Sequence, residues 1–213
     1  MRRTLAIAVL CSMSFCLRAQ TGSGTSIWTP SRIFASDVLP PATIPKVMIA
    51  GFRVSDLKII LEETKLDDVR ARFGGEIGHD GDAGDSLSWL CYSGSDSKGA
   101  WVLWLKSGEM DDGAVGSFQW RRVSAGTKFD ERCQALPETN SIKLPVAVAL
   151  GSSETRMLQV LGNPTIREAN KFLYVHEHDL LIRQLPYTMI NTVEIEIRSG
   201  AIWAIDVLKI TSS

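Results

Sequence analysis

The chain has 213 residues, of which 45% are hydrophobic and 22% are charged, so it can bury one sizeable core or two small ones. Residues 1–19 contain Arg2, Arg3 and Arg18 but no acid; the rest of the chain has 20 basic and 24 acidic residues, a net charge of −4. No run or stripe of Lys and Arg remains, which argues against nucleic acid as a partner and against electrostatic binding to a membrane surface.

The N-terminus has the layout of an export signal. Residues 1–3 form a positive head, 5–17 are a short apolar run, and Ala19 is a small residue before the expected cleavage point. The run is too short to span a bilayer, and no later stretch is long and apolar enough. We therefore predict a signal peptide over 1–19 and a mature protein that is periplasmic or secreted and has no membrane span.

The cysteines support the same compartment. Cys11 and Cys16 leave with the signal, so Cys91 and Cys133 remain and are expected to form one disulfide. Neither belongs to a Cys-x-x-Cys pair, so no redox-active or zinc site is indicated. The bulky Phe15 directly before Cys16 is wrong for lipoprotein processing, which argues against a lipid anchor.

Residues 20–45 are rich in Ser, Thr, Gly and Pro and are expected to form an irregular leader. Trp28 and residues 33–34 are its candidate docking points. A first α+β unit is predicted over 46–123, a connector over 124–143 and a second α+β unit over 144–213.

In the first unit, strands are expected over 46–50 and 57–61. Thr64 is the expected cap of a helix that Gly74-Gly75 ends, and its buried face consists of Leu66, Val69 and Phe73. Further strands are expected over 87–92, 100–106 and 118–123, with a turn at 107–108.

In the second unit, residues 146–150 lead into a helix capped by Ser152 or Ser153, with Glu154 in its first turn. Its expected buried residues are Met157, Val160 and Leu161. Strands are expected over 171–176, 192–198 and 201–210.

The two units repeat one pattern. A helix end at 69–74 is answered by another at 157–162, and a strand end at 105–108 by another at 197–200, both of the last two finishing in Ser-Gly. We therefore predict an α+β fold of two tandem helix-plus-antiparallel-sheet units related by internal duplication.

This pattern, over 57–123 and 144–210, resembles the superfamily of the β-lactamase inhibitor protein and of the small SmpA/BamE-type lipoprotein of the outer-membrane β-barrel assembly machinery. The tandem form is nearer to the inhibitor, whose two units make one curved sheet. The superfamily has no invariant catalytic residues, so the resemblance implies a fold and a protein-binding role without naming site residues. The chain departs from the assembly lipoprotein by lacking a lipobox, and from the inhibitor by having one possible disulfide.

Candidate chemical sites are few. His176 and His178 lie two residues apart, so on a strand both imidazoles point to one side and could grip a metal, but His79 is far away in sequence and no third ligand is placed. The acidic loop 79–85 has Gly84 where a calcium loop needs an oxygen ligand and is expected to be solvated. Catalytic motifs are absent, and no cofactor is predicted.

The two units differ on one sheet face. Aligning Ser107-Gly108 with Ser199-Gly200 places Val102 and Trp104 where the second unit has Glu194 and Glu196. Either the leader or the neighbouring unit covers this apolar face, or it is a contact surface for a partner.

From these observations we predict a non-enzymatic, exported protein-interaction module of the bacterial envelope or exterior, inhibitor-like or assembly-accessory-like, that binds an unidentified protein through this sheet face. Its predicted contact residues are Val102 and Trp104, flanked by Trp101 and Trp120. The alternative is a small secreted metal-binding protein or hydrolase that uses His176 and His178.

Overall fold

A computed structural model describes residues 27–30, 48–82, 85–137 and 141–212. The predicted signal peptide and the docking point at 33–34 lie outside these residues. The described chain is mostly antiparallel β-sheet with two short helices, which agrees with the predicted combination of helices and antiparallel sheet. Neither helix has the length and apolar character needed to cross a membrane in the described part of the chain.

The helices are α1 (Leu66–Phe73) and α2 (Glu154–Leu161), and Glu109–Asp111 form a 3-10 turn. The strands in chain order are β1 (Gly51–Val54), β2 (Leu57–Ile60), β3 (Gly78–Asp80), β4 (Leu87–Asp96), β5 (Gly99–Gly108), β6 (Ser117–Arg122), β7 (Gln134–Ala135), β8 (Ile142–Lys143), β9 (Ile166–Glu168), β10 (Lys171–Ile182), β11 (Leu185–Arg198) and β12 (Ala201–Ser212).

The larger sheet has nine strands in the order β3-β4-β5-β6-β12-β11-β10-β9, with β7 paired parallel to β4. Its middle is the antiparallel pair β6–β12, in which Gln119 lies opposite Asp206. The sheet therefore has two sides of four strands each, β3 to β6 and β9 to β12. Each set of four strands follows a helix in the sequence, α1 or α2. The smaller sheet has the order β2-β1-β8.

The two sides of the large sheet share a contact that ties each helix end to a strand. The Tyr92 hydroxyl donates a hydrogen bond to the carbonyl of Gly74 at 3.0 Å, and the Tyr174 hydroxyl donates to the carbonyl of Gly162 at 3.3 Å. Both glycines follow the last helical residue and have positive φ, of 74° and 86°, which suits residues without a Cβ.

The helix caps follow the prediction in the second unit and differ in the first. Ser153 caps α2, its hydroxyl accepting a hydrogen bond from the Arg156 amide at 3.2 Å. Thr64 does not cap α1: its hydroxyl accepts from the Ile60 amide instead, and the N-cap position is occupied by Lys65, whose side chain does not cap the helix.

The main core lies between one face of the large sheet and the layer formed by the small sheet and the helices. Asn191 of β11 fixes this layer, because its side chain both accepts from the amide and donates to the carbonyl of Ile49, at 3.1 Å each. The predicted inward helix residues Leu66, Val69, Met157 and Leu161 are buried here. Phe73 and Val160 are half-buried at its margin.

The predicted strand over 46–50 is wrong in its described part, because 48–50 are not in a strand and β1 begins at Gly51. The predicted turn at 107–108 is also wrong: Ser107 and Gly108 belong to β5 and pair with Ser88 and Leu87. The chain instead reaches β6 through the 3-10 turn.

Ser199 and Gly200 do form a tight turn, with φ of 50° and 74°. The two sides can also be aligned on Tyr92 and Tyr174, which lie opposite Leu103 and Val193. This alignment matches Leu103 with Val193 and is shifted by two residues from the alignment on Ser-Gly. Because side chains alternate with period two, this offset preserves which residues share a face. It changes the residue that matches Trp104 from Glu196 to Glu194.

The predicted disulfide is confirmed. Cys91 and Cys133 are bonded, with Cα atoms 4.6 Å apart, within the range for such bonds. The bond joins β4 to the connector and favours an oxidising, extracellular-type environment.

Candidate functional site

The predicted partner face is covered from within the chain. Trp104 is 3% exposed and Val102 is fully buried. They belong to a second apolar cluster on the face of the large sheet that points away from the helices, together with Trp28, Trp89, Cys91 and Cys133.

The cover consists of the leader residues 27–30 and the connector. The Ile27 amide donates to the Lys128 carbonyl, and the Asp130 amide donates to the Ile27 carbonyl, both at 3.4 Å. The indole N–H of Trp104 donates to the Trp28 carbonyl at 2.8 Å. Trp28 is thus the docking point that the sequence predicted for the leader.

The flanking tryptophans lie on the opposite face. Trp101 and Trp120 are each 5% exposed and belong to the main core beneath the helices. In this arrangement none of the four predicted contact residues is accessible to a partner. The internal-cover alternative therefore describes the Trp104 face.

A buried charged group continues the same face towards the middle of the sheet. Lys106 and Asp206 are almost fully buried, and the Arg121 guanidinium lies 3.4 Å from the Asp206 carboxylate. Burial lowers the pKa of Lys106 to about 8, and burial raises the pKa of Asp206 while the neighbouring cations oppose that rise. Lys106 and Asp206 therefore interact electrostatically with charges inside the sheet, and the burial of Lys106 itself costs stability.

The histidine pair lies on β10. The rings of His176 and His178 are 6.3 Å apart and nearly parallel, on the same side of the strand as predicted. Their cross-strand neighbours are Asn191 and Met189, and His79 lies on β3 near the opposite edge of the sheet. Over the described ranges, no group of three or more His, Cys, Asp or Glu side chains could hold a metal ion.

One candidate binding surface was not predicted from the sequence: the far end of the β10–β11 hairpin. Its last three cross-strand pairs are all apolar, and we call their six residues the apolar tip: Leu180 with Tyr187, Leu181 with Pro186, and Ile182 with Leu185. Leu181 is 80% exposed and Leu185 is 57% exposed. Because residues beyond the Thr188–Ser212 pair have no β12 partner among the described residues, the tip projects from the sheet.

The turn at the tip is unusual. Arg183 and Gln184 connect the strands as a two-residue turn in which both have positive φ, of 51° and 68°. Turns of this geometry favour Asn or Gly, and other side chains strain the backbone there. Pro186 fits because the pairing pattern directs its missing N–H away from β10, towards the side that β12 does not reach.

The β4–β5 hairpin occupies the matching place on the other side of the sheet and has the opposite chemistry. Its end pairs are Ser95 with Ala100 and Asp96 with Gly99, where the second hairpin has Leu181 with Pro186 and Ile182 with Leu185. Its tip is tied down, since Arg122 binds the Asp96 carboxylate through two hydrogen bonds of 2.8 Å.

The second hairpin is also longer. Asp96 at the first turn comes four positions after Tyr92, whereas Ile182 at the second comes eight positions after Tyr174. The four extra residues in each strand extend the hairpin by about 13 Å.

No turn signal in the sequence marked this hairpin as one element. Its strands were predicted to end at 176 and begin at 192, since Arg183-Gln184 is not a turn sequence and Pro186 interrupts the apolar run. The apolar content on both sides of 183–184 was the available clue.

Comparison with known proteins adds no assignment: no protein-family model, no curated protein and no solved structure matches the chain.

Proposed function

We propose that this protein is a non-enzymatic, exported protein-interaction module, and that it contacts its partner through the apolar tip. The exposed Leu and Ile side chains of the tip leave apolar surface in contact with water, so this surface does not contribute to the stability of the fold. A protein with a matching apolar pocket would bury that area. Aliphatic and aromatic anchors that enter such pockets supply much of the binding energy of an interface.

The observation that carries this proposal is the contrast between the two hairpins. The β4–β5 hairpin shows that this sheet accepts a short polar end held by Arg122. The fold therefore does not require Leu181 or Leu185 at the corresponding places. The strained turn, at which Arg183 and Gln184 both have positive φ, adds a second departure from what stability favours at the same location.

We further propose that the two sides of the large sheet derive from internal duplication, as in the tandem inhibitor that the sequence resembles. Main-chain bonds recur in support. The Val115 amide donates to the Thr64 carbonyl, and the Ile202 amide donates to the Ser152 carbonyl, at 2.8 Å in both. Each bond joins the residue two positions before a helix to the chain that follows the third strand on that side of the sheet, β5 or β11. The tyrosine-to-glycine bonds described above recur in the same way.

Export is part of the proposal. Its support is the signal-like layout of residues 1–19 together with the Cys91–Cys133 disulfide, which fits an oxidising compartment. Placement in the periplasm or outside the cell would then determine which proteins the tip meets.

Site-specific photocrosslinking in the exporting cell tests the contact. A photoreactive amino acid replaces Leu181, and in a control chain it replaces Met110, which is 94% exposed on the 3-10 turn far from the tip in sequence. We expect a discrete protein adduct from position 181 and none from 110. The additional change Leu185→Asp should abolish that adduct without lowering the thermal midpoint.

Three results would contradict the proposal: equal adducts at 181 and 110, an adduct at 181 that survives Leu185→Asp, or no adduct in any compartment. If the adduct is a second copy of this chain, sedimentation of the purified protein should show a dimer that Leu185→Asp dissociates, and the tip would then be a self-association surface.

A further inference from the structure

A second surface, unrelated to the apolar tip, lies on the small sheet. A cleft of about 510 Å³ opens along β1, β2 and β8, within the range of pockets that hold small molecules. The described residues that line it are Met48, Ala50, Gly51, Phe52, Arg53, Lys58, Ile60, Lys143, Leu144 and Pro145.

Three cations form a row across this cleft. Arg53 of β1 lies directly opposite Lys58 of β2 on one side and opposite Lys143 of β8 on the other. All three are therefore on one face of the sheet, and all three are exposed. Like charges in direct cross-strand pairs destabilise a sheet, so the fold alone does not favour this row.

The nearby acid, Asp56, pairs mainly with a cation outside the row. The Asp56 carboxylate binds the Arg72 guanidinium at 2.9 Å, and Arg53 reaches only the Asp56 carbonyl, at 2.8 Å. Within the described part of the chain, Lys58 and Lys143 form no ion pair or side-chain hydrogen bond. Two ammonium groups and one guanidinium thus border the cleft with donors to spare.

The rest of the lining is apolar. Met48, Ile60 and Leu144 are half-buried, and their exposed parts face the cleft beside the cationic row. A ligand that satisfied both parts of the lining would have an anionic head on the row and a hydrocarbon body against these side chains. A purely ionic ligand would leave the apolar wall unused, and a purely apolar one would leave the cations facing it.

We propose that this cleft binds an anionic amphiphile, with a carboxylate or phosphate head held by Arg53, Lys58 and Lys143. Charge complementarity commits the head to a negative group, since charge-assisted hydrogen bonds from Lys and Arg are the stronger kind. The inference stands apart from the apolar tip, because its residues lie on β1, β2 and β8.

Titration calorimetry of the full exported chain below the micelle concentration tests the proposal, with dodecanoate and dodecyl phosphate as probes. We expect saturable, one-to-one binding of at least one of them, which identifies the head group. Dodecyltrimethylammonium and inorganic phosphate should not bind, because each satisfies half of the lining.

Charge reversal supplies the matched variants. Lys58→Glu and Lys143→Glu should each weaken binding roughly tenfold or more, the loss expected for a charge-assisted hydrogen bond. Lys128→Glu is the control, because Lys128 is exposed on the connector and does not line the cleft. It should leave the affinity unchanged.

The proposal is overturned if neither anionic amphiphile binds. Equal binding of the cationic detergent, equal binding of inorganic phosphate, or an affinity that Lys128→Glu lowers as much as Lys143→Glu would overturn it as well.

Discussion

Two apolar surfaces of the large sheet invite comparison, because the chain treats them in opposite ways. The leader segment 27–30 packs over the face around Trp104, and the Cys91–Cys133 disulfide holds the connector against the same face. The apolar tip has no such cover in the described chain, and its Leu181 is 80% exposed. The face around Trp104 is buried by the chain itself and so belongs to the fold. The apolar tip, which stays exposed, is therefore the better candidate for contact with a partner.

The largest expected difference between these surfaces is in stability. Trp104→Glu should destabilise the protein by about 3–5 kcal/mol, because it removes a buried indole and buries a carboxylate under the leader. Leu181→Glu should change stability by less than about 0.5 kcal/mol, since the side chain is exposed. Chemical denaturation of both variants measures the two free energies, and similar values would remove the distinction.

The disulfide should contribute the next largest effect, confined to the covered surface. Replacing Cys91 and Cys133 together by Ser opens a loop of 42 residues and should cost roughly 4 kcal/mol in the chain-entropy model. Denaturant titration gives the loss. Crosslinking from position 181 should persist in this variant under conditions where it remains folded; loss of the crosslink would mean that the two surfaces are coupled.

Lys106 gives the covered face a pH dependence that the tip lacks. Burial lowers its folded-state pKa to about 8 from an ordinary 10.5, so the unfolded chain binds more protons between these values. Stability should therefore rise by about 3 kcal/mol from pH 8 to pH 10.5, with the full cost of the buried cation present below pH 8. Lys106→Met should abolish that rise relative to wild type while leaving Arg121 to pair with Asp206. Parallel pH profiles for the two proteins would refute this account.

The smallest effect concerns the strained turn. Gln184→Gly should stabilise the hairpin by about 0.5–1 kcal/mol, because glycine adopts positive φ without a steric cost. Gly200, already a glycine in the turn at 199–200, offers the comparison: Gly200→Ala should destabilise by a similar amount. Thermal midpoints measure both, and a destabilising Gln184→Gly would show that the turn is not strained.

Much of the sheet was predictable from sequence because periodic apolar patterns reflect burial. Strict alternation over 192–198 identified the inner part of β11, and the Leu66–Val69 spacing identified α1. The disulfide followed from counting cysteines. Local patterns carry this information because the residues that form each element also pack it.

The location of the site was not predictable in the same way. Val102 and Trp104 were correctly recognised as apolar where the other unit carries charge, but the cover depends on a hydrogen bond from the Trp104 indole N–H to the carbonyl of Trp28, which is distant in sequence. The hairpin tip was missed because Arg183 and Gln184 are not residues typical of a two-residue turn, although both have positive φ here. The first error comes from long-range context that a single stretch of sequence does not contain, and the second comes from a local turn with an untypical sequence.

The most direct test of the partner surface exchanges the two hairpin ends. Residues 181–186 are replaced by Ser-Asp-Ser-Lys-Gly-Ala, the sequence that occupies 95–100 at the end of the first hairpin. The tip account predicts a folded protein with an unchanged or higher thermal midpoint that no longer captures the partner crosslinked at position 181 in the parent chain. Retention of that partner at undiminished affinity by the folded graft would contradict the account.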